Sequence, residues 1–225
     1  MLFLAAAALA RSMVTFYVAR HGQNQDNANG ILNGHRDLPL TAIGEEQAGI
    51  LGNQIKEKNL KFDAVYTSPL QRASKTAEIV CGIIEHTTPP IIEADLIERD
   101  FGIMSGKRTS DIESFCSPDT IVKTETITYF LEPANGENFP TLIARADRLL
   151  AKLSTTDQQK ADQKVLLVCH GDFGKMIYAS FYQEEWKDVL FSFHFGNSDV
   201  LILSDELRTA DSSSRKLFTQ QQYNN

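Results

Sequence analysis

Two histidines stand at the end of an apolar run and directly before a glycine: His21 in FYVARHGQNQDN and His170 in VLLVCHGDFGK. Arg20 precedes the first of them, and Arg72 follows a Ser-Pro pair in TSPLQRASKTA. Near neutral pH an imidazole is either a nucleophile or a proton carrier. Guanidinium forks match tetrahedral oxyanions through paired, charge-assisted hydrogen bonds. Two of each in one place would repel one another unless an anion filled the gap, and phosphate suits that gap best. His21 could then attack phosphorus in line, with Gly22, which lacks Cβ, permitting the close approach; the product would be a phosphohistidine. Singly, a strand-end histidine is more often a hydrogen-bonded structural residue, and an arginine after Ser-Pro a solvated one. It is their conjunction that points to chemistry.

Such a cluster needs a scaffold that brings distant chain segments to one edge. VTFYVA (14–19), AVYT (64–67), VLLVC (165–169) and VLIL (200–203) read as buried strands. Helical periodicity separates them, which implies a largely parallel sheet whose ligand crevice lies at the carboxyl ends of the strands. Thr41 is expected to cap a helix with Ile43, Ala48, Leu51 and Ile55 on its core face. Ser68, Pro69 and Gln71 read as a capping box opening the helix that carries Arg72. Leu142, Ala146, Leu149 and Leu153 form an apolar helical stripe. Between about 87 and 139 the periodicity fails among Pro89, Pro90, Pro118 and Pro133. So long an irregular stretch is expected to be an inserted cap covering the site.

Composition limits the possibilities. A chain of 225 residues with 42% hydrophobic residues is long enough for one full core. The net charge of −7 argues against a nucleic-acid or anionic-membrane surface, each of which demands a broad basic face. Cys81, Cys116 and Cys169 have no paired spacing, so neither a disulfide framework nor a zinc cage is expected, and a reducing, cytoplasmic compartment suits them. Residues 1–12 read as an extension before Met13, and the polar residues 208–225 as a C-terminal tail. The domain itself is then 13–207.

The stretches ARHGQNQDN, YTSPLQRASKTA, LIERDFGIMSGK and VLLVCHGDFGK together resemble, in order and spacing, the four signature blocks of the histidine phosphatase superfamily, also called the phosphoglycerate mutase-like family. The resemblance spans Thr15 to Leu203. It implies a three-layer α/β/α fold on a mixed, mostly parallel six-stranded sheet. It makes Arg20 and Arg72 the phosphate-binding arginines, His21 the phospho-accepting histidine, and His170 the histidine that holds the transferring phosphoryl group. Glu98 falls on the family's proton donor, a position that spacing alone does not single out, and Asn27 on an asparagine lining the phosphate pocket. Gly22, Arg99 and Lys107 are expected to complete the phosphate and substrate contacts. Whether burial raises the Glu98 pKa or the arginines lower it stays open at this point. No metal or cofactor is expected.

Three functions follow from the resemblance. The first is a histidine acid phosphatase-type phosphomonoesterase acting on small phosphorylated metabolites, phosphosugars among them. The second is a cofactor-dependent phosphoglycerate mutase, and the third a non-catalytic phospho-ligand binding or scaffold protein. The lysine that helps the family's mutases grip a glycerate carboxylate falls here at Thr109, Phe101 replaces a tyrosine, and no Arg-Arg pair lies between Glu98 and Gly136. Those departures favour hydrolysis. The oligomeric state stays open, with a homodimer as one option.

Overall fold

The computed structural model describes residues 14–154 and 162–219, so the expected N-terminal extension lies outside them. In chain order the elements are β1 (Val14–Arg20), the single turn α1 (Gln25–Ala28), α2 (Ala42–Glu57), β2 (Ala64–Thr67), α3 (Gln71–Ile83) and β3 (Ile91–Ile92). They continue with α4 (Ile112–Phe115), β4 (Ile121–Lys123), β5 (Thr128–Phe130), α5 (Phe139–Ser154), β6 (Gln163–Cys169), α6 (Gly171–Tyr182), α7 (Trp186–Ser192), β7 (Val200–Leu203) and β8 (Lys216–Phe218).

Six strands form one sheet in the order β3-β2-β6-β1-β7-β8. The β1/β6, β2/β6 and β2/β3 pairs are parallel, whereas β1/β7 and β7/β8 are antiparallel. The sheet is therefore mixed and mostly parallel. Because β1 alternates faces and is buried on both, Tyr17 and Ala19 pack with Leu51, Ile55, Ala73, Ala77 and Val80 of α2 and α3. Phe16 and Val18 pack on the opposite layer with Leu142, Ala146 and Leu149 of α5 and with Phe173, Met176 and Ile177 of α6. This is a three-layer arrangement with one apolar core on each side of the sheet.

Register delivers the two histidines to one level. Arg20 lies opposite Cys169 in the parallel β1/β6 ladder, and His21 N still donates to Cys169 O at 3.0 Å. Each chain then leaves its strand at the next residue.

Several local expectations need correction. Thr41 does cap α2, accepting from Gly44 N, but Ile43 is 39% exposed and outside the core; Gly44, Gln47 and Gly52 complete the buried face instead. The helix that carries Arg72 begins at Gln71, with Leu70 at the N-cap and no side-chain cap from Ser68. Its first amide donates instead to Asp37 Oδ1 at 2.7 Å, a cap supplied by a distant loop, while the Ser68 hydroxyl accepts from Leu70 N at 3.3 Å. The irregular stretch 87–139 contributes β3 to the main sheet, and the β4/β5 hairpin pairs separately. Phe101, Met104, Ile112 and Phe130 form a small core of its own.

The stretch read as a polar tail supplies edge strand β8. Arg215 secures it: its guanidinium, only 4% exposed as a residue, donates to Leu207 O, Arg208 O and Tyr178 Oη, pairs with Glu184, and lies 3.7 Å from the centroid of the Tyr182 ring. A composition count misses this because a buried cation joins a short apolar contact, Leu217 and Phe218 against the core, in holding the segment. Among the described residues no helix is long and apolar enough to cross a membrane.

Candidate active site

The β1 and β6 ends place the His21 and His170 rings with centroids 5.1 Å apart, edge to face. Both residues are buried. His21 Nδ1 lies 2.6 Å from its neighbour's carbonyl, Gly22 O. A carbonyl only accepts, so Nδ1 carries the proton and Nε2 keeps its lone pair. Arg72 Nε donates to that Nε2 at 3.2 Å. Burial, and then the charges of Arg72 and Arg20, hold the His21 pKa well below 6.5, with the Gly22 carbonyl opposing. The ring is neutral at pH 7.

Arg72 is itself fully buried. Its Nη1 and Nη2 donate to Arg36 O at 2.6 Å and Gly34 O at 3.0 Å, so the loop after α1 orients the guanidinium. That loop is held in turn by an ion pair between Arg36 and the buried Asp26 at 2.7 Å. Burial lowers the Arg72 pKa to about 10, which still leaves it charged. Arg20 Nη1 donates to Phe195 O at 2.7 Å, and its guanidinium lies beside the start of α6, where a Cβ on Gly171 would be 3.5 Å from the guanidinium carbon.

His170 occupies the N-cap of α6. Its Nε2 contacts Ser68 Oγ at 2.7 Å, and its pKa is held well below 6.5 by burial, then by Arg72. Among the described residues only a handful of buried side-chain atoms lack a hydrogen-bond partner, and Arg20 Nε and His170 Nδ1 are two of them. Two polar atoms so placed in a region of positive charge suit an anion with several acceptor oxygens.

Glu98 reaches the same place from the irregular stretch. Its Oε1 accepts from Arg99 N at 2.8 Å and Phe173 N at 3.1 Å, and its Oε2 from Asp172 N at 3.4 Å, so it sits against the first amides of α6. The amides and Arg72 pull its pKa down, yet burial first and the nearby Asp172 second push it above 4.5. The competition left open by sequence is won by desolvation. The two environments thus push in opposite directions, holding the His21 and His170 pKa values down and the Glu98 pKa up.

Not every expected contact is formed. Arg99 is wholly buried, ion-paired to Asp172 at 2.8 Å and enclosed by Phe101, Phe130 and Phe139, with its guanidinium carbon 4.8, 4.5 and 4.5 Å from their ring centroids. Its guanidinium thus braces Asp172 and the carbonyls of Phe130 and Glu137, the last two at 3.0 and 3.3 Å. Lys107 Nζ lies 4.0 Å from the centroid of the Phe115 ring, engaged with the irregular segment itself. Asn27 serves the α1 capping box, with its Oδ1 3.5 Å from Asn197 Nδ2. Asn197 also donates to His21 O at 3.0 Å and links β7 to the His21 turn. Gly22 is forced by packing, since a Cβ there would lie 2.2 Å from Gly44 O.

Sequence reasoning passes over Ser68 as a partner for His170, and also Asp172, Asn197 and Arg145. The one available signal is for Arg145: a cation on the buried face of an apolar helical stripe must be paired.

The family model described as histidine phosphatase superfamily (branch 1) matches residues 16–210. An uncharacterized phosphatase, PhoE, of Bacillus subtilis (strain 168) is 34% identical over 160 residues, covering 71% of this chain and 72% of its own. A 2,3-bisphosphoglycerate-dependent phosphoglycerate mutase of Methylobacterium sp. (strain 4-46) is 30% identical over 156 residues, covering 69% and 74%. Among solved structures, the alpha-ribazole phosphatase of Shigella flexneri superposes with a TM-score of 0.68 at 25% identity, over 92% of this chain and 100% of that one.

Proposed function

The chain belongs to the histidine phosphatase superfamily, and on that footing we propose that it is a phosphomonoesterase hydrolysing small phosphorylated metabolites through a phosphohistidine on His21. The observation that carries this reading is the state of the His21 ring: Nδ1 is committed to Gly22 O, and Nε2 holds its lone pair beside a guanidinium.

In this reading the substrate phosphoryl group lies among Arg20, Arg72 and His170, and its oxygens take over the Arg72 N–H that contacts Nε2 in the free protein. The Nε2 lone pair forms the N–P bond as the P–O ester bond breaks. The departing oxygen keeps that bond's electron pair and takes the proton held by Glu98. Water then attacks phosphorus and gives its proton to the Glu98 carboxylate; the N–P pair returns to Nε2, and phosphate leaves. The arginines stabilise charge spread over the equatorial oxygens, the dominant task in phosphoryl transfer. In this reading the irregular stretch 87–139 covers the crevice and bears on the choice among phosphosugars or related metabolites.

A mutase reading is favoured by the Methylobacterium relative. It requires a grip on a glycerate carboxylate, and the free protein holds Lys107 against Phe115, a contact that such a grip would have to replace. The test incubates the protein with 3-phosphoglycerate and catalytic 2,3-bisphosphoglycerate while 2-phosphoglycerate and free phosphate are followed together. Phosphate release from a panel of metabolites, with an acid-labile phosphoenzyme in the wild type and none in His21→Ala, is the expected result. Interconversion of the monophosphates well above phosphate release would replace this reading with the mutase.

A further inference from the structure

We infer that Arg145, braced by Glu137, is the positioning residue for the Glu98 carboxyl; this rests on the reading above, in which Glu98 is the general acid. Arg145 lies on α5 among core residues and is 7% exposed. Its Nη1 donates to Asp95 O at 2.7 Å and Ile97 O at 2.6 Å, and its Nη2 to Glu98 O at 3.2 Å. Nε and Nη2 also reach the two carboxylate oxygens of Glu137, at 3.1 and 2.7 Å. The guanidinium carbon stands 4.1 Å from the centroid of Phe173, the residue whose amide donates to Glu98 Oε1.

One planar cation thus ties three main-chain carbonyls of the 95–98 segment to the helix start that receives the Glu98 carboxylate. That segment has only a short 3₁₀ turn, Ala94–Leu96, to stiffen it. The contacts fall on backbone, so they fix where the acid's Cα sits whatever the neighbouring side chains do. His35 Nε2 contacts the same Glu98 carbonyl at 2.8 Å from the other loop. A leucine would satisfy the helical stripe, and a buried cation costs desolvation; what the guanidinium adds is a fork with five donors in one plane. Lysine keeps the charge and loses that fork.

A residue that acts through the acid has a kinetic signature that a general packing defect lacks. p-Nitrophenolate leaves as an anion and needs little protonation, whereas the alkoxide of glycerol 3-phosphate needs a proton in the transition state. The ratio kcat/KM reports P–O cleavage and is blind to the later hydrolysis of the phosphoenzyme. Arg145→Lys is expected to lower kcat/KM for glycerol 3-phosphate about 100-fold and for p-nitrophenyl phosphate only about threefold, because a general acid contributes roughly 10²- to 10⁴-fold. Adding Arg145→Lys to Glu98→Gln should cost nothing further on the alkyl ester. Glu137→Gln, which removes the brace and leaves α5 intact, should give the same ordering of substrates and carries the measurement if Arg145→Lys fails to fold. Equal losses on both esters, or a full further loss on the Glu98→Gln background, would overturn the inference while leaving the phosphatase reading in place. A wild-type protein that hydrolyses neither ester would overturn that reading and this inference with it.

Discussion

Arg72 directs its Nε–H at Nε2 of His21 across 3.2 Å, while the opposite ring nitrogen of His21 is tied to Gly22 O at 2.6 Å. A guanidinium cannot accept a hydrogen bond, so this contact exists only while Nε2 is unprotonated. The guanidinium that would receive phosphate in the proposed reaction therefore keeps Nε2 of His21 free of a proton.

From this pair comes a prediction about pH. In the wild type His21 should titrate below 6.5, since its pKa is depressed by burial and by the Arg72 and Arg20 charges. The acid limb of kcat/KM, which falls as Nε2 gains a proton, should follow it. In Arg72→Gln one of those charges is gone, and the His21 pKa and the acid limb should both move up in pH. Histidine NMR titration reads the first and a pH–rate profile the second; a His21 pKa unchanged in the variant would refute the coupling.

Glu98 should limit stability on the alkaline side. Its folded pKa lies above 4.5, so the folded protein holds the proton more tightly than the unfolded chain does. That contribution is complete below pH 4.5 and is lost as pH rises through the folded value; every tenfold difference in proton affinity between the two states is worth about 1.4 kcal/mol. Glu98→Gln should therefore unfold at higher denaturant than wild type at neutral pH, with the gap closing on acidification toward 4.5. The depressed His21 and His170 act with the opposite sign: their contribution is present above pH 6.5 and is lost as pH falls below it. A gap that failed to narrow on acidification would show that Glu98 is ionised in the fold.

Ser68→Ala tests the assignment of its hydroxyl to His170. The 2.7 Å contact at Nε2 leaves Nδ1 as the nitrogen without a protein partner, the one that would face phosphate in the proposed reaction, and without the hydroxyl the ring is free to exchange tautomers. A lost buried hydrogen bond of about 1–3 kcal/mol predicts roughly a 10- to 100-fold fall in kcat. Ser68→Thr, which restores the hydroxyl, should recover most of it. An alanine variant with wild-type kcat would return Ser68 to a purely local role.

The strand ends, the two His-Gly turns and the arginines are legible in the sequence because each is a local pattern: an apolar run, then a residue type with few other uses. Ser68 misleads because Ser-Pro-x-Gln is also a helix-start signal, and only the tertiary cap from Asp37 shows that the first amide of α3 is met from elsewhere. Arg99 stands next to the acid and invites a ligand role, but its neighbours Phe130 and Phe139 enclose it from other segments. Glu98 itself comes from family resemblance, since nothing around residue 98 in the chain indicates that α6, more than seventy residues later, will supply its amides. Strand β8 escapes a sequence reading for a related reason, because its anchor, Arg215, finds its partners on α6 and just beyond it.

Two glycines of α2 should respond to alanine in opposite directions. A Cβ at Gly44 would stand 1.9 Å from Gln23 O, on the turn that follows His21, whereas at Gly49 it would meet nothing within 4 Å. Gly49→Ala should stabilise the protein by about 0.5–1 kcal/mol through helix propensity alone, with activity unchanged. Gly44→Ala must push the turn away, at a cost of about 1–3 kcal/mol, and should lower kcat as well. Denaturant midpoints and a rate for each variant decide it; a stabilised, fully active Gly44→Ala would mean that the helix and the turn are not in contact.

Strand β1 is the first element of the described chain, yet both of its neighbours in the sheet, β6 and β7, belong to its last third. During vectorial synthesis its apolar VTFYVA run therefore leaves the ribosome with neither edge paired, and β2, made next, pairs with β3 and β6 instead. Closure waits for a contact of very high sequence separation, Val14 to Gln163, the kind that folds slowly and leaves strand edges exposed meanwhile. A nascent chain stalled before β6 holds one histidine of the pair and a hydrophobic strand with neither edge paired. The pairing that brings the two histidines to one level therefore forms late, with β7 and β8 still to follow.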